Sequence, residues 1–334
     1  MSRFFPPRPW LALAALLILC LAAGPVSNAA PAGKHSIRYF DLNKVRYLYL
    51  QDVARFYGMN CRTADKKTVL SSRYSRLVLE QDSRICQLNG LKVNLSFPIA
   101  RKGPDMLLAQ TDFRDFIDPI LRSATVPKRK VRHVMLDPGH GGKDTGAIAA
   151  KVAEKNINLL LARRIAAILR KRGYKVTLTR TTDQTLTLQQ RVAAMQKHQP
   201  DLFLSIHCNA LDNSSAKGIE TYIANPAGTP SSGGNVFAKK AAPGNAFNRE
   251  NALLSWLLQE KLLASSKAVD CGIKRKQFYV IREVSCPAAL LELGFLSNAQ
   301  ERHLLLQPLY QDKLSVAVCD AVQKFEQTLA PVRK

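Results

Sequence analysis

Residues 131–180 read VRHVMLDPGHGGKDTGAIAAKVAEKNINLLLARRIAAILRKRGYKVTLTR, and this stretch decides the fold. Val131–Leu136 is a short apolar run closed by Asp137-Pro138-Gly139, which predicts a buried strand feeding a loop. From about Glu154 to Arg172 the spacing predicts a helix with Ile157, Leu161, Ile165 and Ile168 on one face. Glu154 in its first turn and Arg170, Lys171 and Arg172 in its last suit the helix dipole. Gly173 then stands where a left-handed cap residue is wanted. Tyr174–Thr179 alternates apolar and polar side chains as a strand does.

The same alternation continues downstream. Thr187 and Gln190 make a capping-box pattern ahead of a helix carrying Leu188, Val192 and Met195. Further strands are predicted at Leu202–Ile206, Ile219–Ile223, near Phe278–Ile281 and at Ala288–Leu291, with helices over 246–266 and 308–329. Strands alternating with helices predict an α/β domain over 131–328, with a mainly parallel twisted sheet and helices on both faces. In such a sheet, binding residues lie in loops beyond the strand ends. The segment 225–244, with Pro226, Pro230, Pro243 and several glycines, predicts a mobile loop rather than a helix.

Upstream, VPKRKVR (126–132) is a basic, Pro-containing stretch, and residues 123–130 are expected to be a linker. Residues 36–122 predict a small α+β accessory domain. Asn89-Gly90 signals a hairpin, and a strand-then-helix pattern appears twice, in YLYLQDVARFYG and MLLAQTDFRDFIDPIL. At the N-terminus, Arg3 and Arg8 precede an apolar run from Trp10 to Ala23 and small residues at Ser27–Ala29. That is the pattern of a signal peptide over 1–29, too short for an anchor, so export without stable membrane insertion is expected.

The net charge of +24 favours polyanionic surroundings. No nucleic-acid motif is present and export argues against that partner, so an anionic cell envelope fits better, and a monomer is expected. Six cysteines follow the signal, none in C-x-x-C spacing. Cys61 with Cys86 and Cys271 with Cys286 are candidate disulfides by proximity in the chain, with buried free thiols as the alternative.

Four residues stand out at expected element ends: His140 in DPGHGG, Glu154 opening the long helix, His207 in SIHCNA, and Glu292 in LELGFLSN. Two imidazoles and one carboxylate leave a fourth position on a zinc ion for water, and a further carboxylate off the metal serves as proton acceptor. No compact motif such as H-E-x-x-H links them, and a lone histidine is more often structural. The residues alone make a weak case.

Residues from about 131 to 328 resemble the catalytic domain of zinc-dependent N-acetylmuramoyl-L-alanine amidases. The resemblance rests on VMLDPGHGGKDTGA, EKNINLLLARRIAAILRKRGYKVTLTR, TLQQRVAAMQKHQPDLFLSIHCNA, GIETYIAN, GIKRKQFYVIREVSCPAALLELGFLSN and the C-terminal helix, in that order. It implies metal ligands at His140, Glu154 and His207, a catalytic glutamate at Glu292, one Zn2+ per chain and peptidoglycan as substrate. Some relatives depend on a protein activator. A catalytically silent wall-binding or regulatory module on the same fold is the alternative. Asn209 and Arg282 are candidates for substrate contact or carbonyl polarisation, with structural roles as the alternative. Asp137 is expected to stiffen the glycine loop, and Cys208 to face the core. Residues 36–122 resemble the small N-terminal domain of some copper amine oxidases and several wall enzymes; no His/Cys cluster there offers a copper site.

Overall fold

The computed structural model describes residues 36–234 and 236–330; the expected signal peptide lies outside them. Eleven strands form one sheet. In chain order they are β1 (Asn60–Ala64), β2 (Lys67–Ser71), β3 (Arg76–Glu80), β4 (Ile85–Leu88), β5 (Leu91–Asn94), β6 (His133–Pro138), β7 (Lys175–Leu178), β8 (Leu202–Asn209), β9 (Ile219–Ile223), β10 (Asp270–Arg275) and β11 (Ala288–Phe295). Across the sheet the order is β7-β6-β8-β11-β9-β10-β5-β4-β3-β2-β1.

β7, β6, β8 and β11 are parallel. Their crossovers include α1 (Glu154–Lys171) and α2 (Leu188–His198). Every residue of β6 is buried, as in a strand covered on both faces. Val134, Leu136, Leu204 and Ile206 belong to the main core with Leu161 of α1, Leu258 of α3 (Asn248–Ser266) and Val318 of α4 (Pro308–Leu329). Met135, Phe203 and Leu290 face the other way, against Val192 and Met195 of α2. Because β6, β8 and β11 run together, they finish at one end of the sheet, called here the upper end. That end carries the loop 139–147 and the start of α1.

Two local expectations change. The apolar FYVI segment is one helical turn, Tyr279–Arg282, whose Val280 and Ile281 pack under the α2 face, and the strand is Asp270–Arg275 instead. In the segment expected to be a mobile rim, residues 225–232 and Ala238 are instead pinned to the body. Asn225 and Thr229 are buried, Ser232 N donates to Arg275 O at 2.7 Å, and Ala238 N donates to Thr229 O at 3.0 Å. β9 is antiparallel to β11, with Glu220 opposite Glu292 and Tyr222 opposite Leu290. The segment therefore leaves β9 at the lower end, away from Glu292.

The described cysteines are all free. Cys61 lies in β1 and Cys86 in β4, three strand spacings or about 14 Å apart, beyond disulfide reach. Cys271 is the second residue of β10 while Cys286 precedes β11, and β9 runs between those strands.

Residues 36–122 contain an antiparallel sheet of Tyr39–Leu42, Val45–Tyr49, Asp105–Ala109 and Ala100–Lys102, with helical segments at Leu50–Tyr57 and over 110–121. Asn89 and Gly90, at φ 49° and 86°, make the tight turn between β4 and β5. The expected tether does not separate this half from the rest. β5 pairs with β10 at Val93 and Ile273, so the large sheet crosses the boundary. Lys92 N donates to Asp270 Oδ2 at 2.6 Å, and the buried Arg275–Asp112 ion pair spans the same joint at 2.6 Å. The connector is docked too: Val126 is buried, and Arg129 N donates to Leu329 O at 2.9 Å.

A fragment beginning at residue 131 leaves β10 as a bare edge and strips Arg275 of its carboxylate. Breaking such a buried pair costs about 3–5 kcal/mol, so the fragment should melt about 10 °C or more below the parent, or aggregate. Calorimetry checks this; a soluble fragment melting with the parent would contradict it.

Candidate metal centre

His140 stands in the left-handed region at φ 60°, in the loop that follows β6. Arg191 Nη2 donates to its carbonyl at 2.8 Å, while Arg180 donates to the carbonyls of Pro138 and Gly139 at 3.0 and 2.8 Å. Asp137, beneath the loop, accepts from Thr179 and Arg191 at 2.6 Å and from Ser205 at 2.9 Å. These bonds fix the strand ends and the loop as one unit, and Asp137 takes no part in the cluster above it.

Glu154 is the first residue of α1 and is buried. His207 comes up on β8, on the face opposite Cys208, which lies in the main core. His140 Nε2 is 3.2 Å from Glu154 Oε2, and His207 Nδ1 is 3.0 Å from Glu154 Oε1. One ligand atom from each residue lies within 4.8 Å of the others. A tetrahedral ion with bonds near 2.0–2.1 Å has ligand-to-ligand edges of about 3.3 Å, so the two histidine–glutamate contacts match such an edge and the three donors fit zinc in number and type.

The outer partners of the donors carry a weaker signal in the sequence than the donors themselves. Both carboxylate oxygens of Asp144 lie 2.9 Å from His140 Nδ1, leaving Nε2 to face Glu154. Asn158, one turn after Glu154, donates to its Oε1 at 3.0 Å, and Ala147 N donates to Oε2 at 3.1 Å. Their signal was spacing: Asp144 follows His140, and Asn158 follows Glu154, by four residues. Burial by itself would raise the Glu154 pKa, but hydrogen bonds and charge from His140 and His207 hold it well below the ordinary value. Burial works against protonation of His140, yet Glu154 and Asp144 outweigh it and the pKa is raised.

Glu292 sits on β11 directly across from His207 and Glu220. Its Oε2 is buried without a hydrogen-bond partner. Burial first, then the charges of Glu154 and Glu220, push its carboxyl well above the usual range, against the pull of Lys274. Glu220 is held by Tyr222 Oη at 2.5 Å, by Asn209 Nδ2 at 3.2 Å and by Lys274. Asn209 thus contacts Glu220, and Arg282 directs its Nε to the neighbouring Glu283 at 2.6 Å.

Two glycines allow this packing. A Cβ on Gly139 would overlap the His207 ring, and one on Gly146 would lie 2.5 Å from Glu154 Oε2. Gly139→Ala should therefore displace the imidazole and lower activity on the order of a hundredfold, since misplacement by about 1 Å has that effect. Turnover and metal content measured beside the far-UV circular dichroism check this; full activity in a folded variant would contradict the close approach.

A sequence profile of the N-acetylmuramoyl-L-alanine amidases matches residues 134–324, more than half of the chain. The chain belongs to that family. Among curated relatives, LytC of Bacillus subtilis is 35% identical over 193 residues, which cover 58% of this chain and 35% of LytC. AmiA of Salmonella typhimurium is 32% identical over 216 residues, covering 57% of this chain and 75% of AmiA. The chain thus spans about a third of LytC and three quarters of AmiA. The solved catalytic domain of CwlV from Bacillus (Paenibacillus) polymyxa superposes with a TM-score of 0.51 at 30% identity, covering 59% of this chain and 99% of that one. CwlD of Clostridioides difficile, solved in complex with the GerS lipoprotein, gives 0.51 at 27% identity, with 59% and 98% covered. No helix among the described residues is long and apolar enough to cross a membrane.

Proposed function

We propose that this chain is an exported, zinc-dependent N-acetylmuramoyl-L-alanine amidase that cleaves the bond between N-acetylmuramic acid and the L-alanine of the peptidoglycan stem. The observation that carries this reading is the convergence of His140, Glu154 and His207, with the orphaned carboxylate of Glu292 beside them. The names of the relatives supply the substrate class. The complex of CwlD with the GerS lipoprotein is the precedent for including a partner protein, which we take to be an activator.

His140, Glu154 and His207 would hold the zinc, and Asp144 and Asn158 orient two of those side chains. When bound, zinc supplies Lewis-acid polarisation of the scissile carbonyl and lowers the pKa of water to about 7. Glu292 Oε2 takes the proton of the attacking water and returns it to the departing amine nitrogen of L-alanine. Its raised pKa suits both halves of that transfer, since the group is a stronger base than an exposed carboxylate.

Mass spectrometry of products released from purified sacculi tests the reading. Free stem peptides beginning with L-alanine, together with peptide-free glycan, support it. Shortened stems still attached to sugar would indicate a carboxypeptidase, and no products from zinc-loaded protein would indicate a silent wall-binding module.

A further inference from the structure

A second group of polar and aromatic residues lies on the rim that carries the metal cluster. β9 and β10 run antiparallel to β11, β5 runs parallel to β10, and β5 to β2 then alternate in direction. β4 and β2 therefore finish at the upper end. This places the turn Asn89–Gly90 and the loop 72–75 on the same end of the sheet as His207 and Glu292. β3 is five strand positions from β11, about 24 Å along the sheet.

Two adjoining hollows of about 460 and 400 Å3 open here, and both are lined by Ser72, Arg73, Tyr74 and Ser75. Tyr74 is 54% exposed, with the Arg73 guanidinium 4.3 Å above its ring. The loop is preformed: Ser72 Oγ accepts from the amides of Tyr74 and Ser75, each at 3.2 Å. On the far wall stands Trp256, 8% exposed, whose indole N–H has no hydrogen-bond partner.

A sugar ring presents an apolar C–H face and a rim of hydroxyls. Aromatic faces match the first; arginine, serine and amide groups match the second. Glu260 stands in the same wall beside Arg73 and Arg76, so the lining carries both signs of charge. Two hollows sharing one loop suit a linear chain better than a compact ligand.

We propose that this groove is an accessory subsite for the glycan strand, holding the polymer six strand positions, about 29 Å along the sheet, from the strand that carries His207. The proposal rests on the peptidoglycan reading. A second contact on one chain raises the local concentration of scissile bonds at the metal without altering the chemical step.

Sacculus co-sedimentation of the full chain tests it, with Glu292→Gln as background so that the polymer survives. Adding Tyr74→Ala should weaken binding about tenfold, as loss of one aromatic contact does. Phe237→Ala removes an exposed ring at the opposite end of the sheet and should bind like the background. Trp256 is the one tryptophan beyond the signal segment, so its fluorescence reports the groove directly. It should change saturably with a soluble N-acetylglucosamine hexamer and not with anionic phospholipid vesicles. Unaltered binding by a folded Tyr74→Ala, equal loss in Phe237→Ala, or a response to vesicles alone would each overturn the subsite. Absence of amidase products would sink the catalytic reading instead, and these binding measurements do not depend on it.

Discussion

Replacing Glu292 with glutamine should lower turnover on the order of a hundredfold or more, while zinc content stays that of the parent. The amide keeps the shape of the carboxylate but accepts no proton. Its place on β11 is fixed by pairing with β8 on one side and β9 on the other, so the variant has no reason to rearrange. The sign of the pH dependence follows from the same surroundings. Glu292 acts as base only when ionised, and burial with the charges of Glu154 and Glu220 raises its pKa while Lys274 lowers it. Activity is therefore present above that pKa and lost as pH falls through it. Lys274→Met should move the acidic limb of the rate profile to higher pH, and Glu220→Gln should move it lower. Steady-state rates on a soluble muropeptide from pH 4 to 9, beside metal analysis, measure both effects. An active Glu292→Gln would assign the base elsewhere, and limbs moving the opposite way would overturn the electrostatic account.

The legible parts of the molecule are those specified by near neighbours in sequence. β6, the glycine loop and α1 were readable because the apolar run, the Asp-Pro-Gly turn and the helical spacing lie within fifty residues. The Thr187–Gln190 capping box was readable for the same reason, and it forms with both of its hydrogen bonds. What escaped depends on distant partners. FYVI has strand-forming side chains, yet Val280 and Ile281 gain more by packing under the sheet as a single turn. Asp270–Arg275 carries too many polar residues to show a buried period, because it takes its place from β9 and β5. Composition alone suggested mobility for 225–244, and no local pattern reveals that Ser232 meets Arg275 forty-three residues on. The joint between the halves was hidden likewise, since Val93 meets Ile273 across 180 positions of chain. The candidate metal donors are visible one by one. Their convergence followed from resemblance, because three different elements deliver them.

His207→Ala should bring zinc content from close to one per chain to about a tenth or less, with activity falling to background. The variant removes one of three donors and leaves His140 and Glu154, and a pair of ligands does not hold the ion against water. The fold should survive. His207 is partly exposed at the end of its strand, and Glu154 Oε1 keeps Asn158 Nδ2 at 3.0 Å and Cys208 N at 3.2 Å as donors. Loss of metal and loss of structure are therefore separable. Zinc that binds the native state stabilises it by mass action, about 2.7 kcal/mol at a hundredfold excess over the dissociation constant, so added zinc should raise the melting temperature of the parent and not of the variant. Acid works on the same equilibrium from the other side. His140 must be neutral to donate, and its raised pKa means protons begin to compete at a higher pH than for an exposed histidine. Parent protein dialysed in steps from pH 8 to pH 5 should release zinc as it crosses that range, before it unfolds. Full zinc occupancy in folded His207→Ala would remove His207 from the ligand set. A zinc-dependent rise in its melting temperature equal to the parent's would do the same.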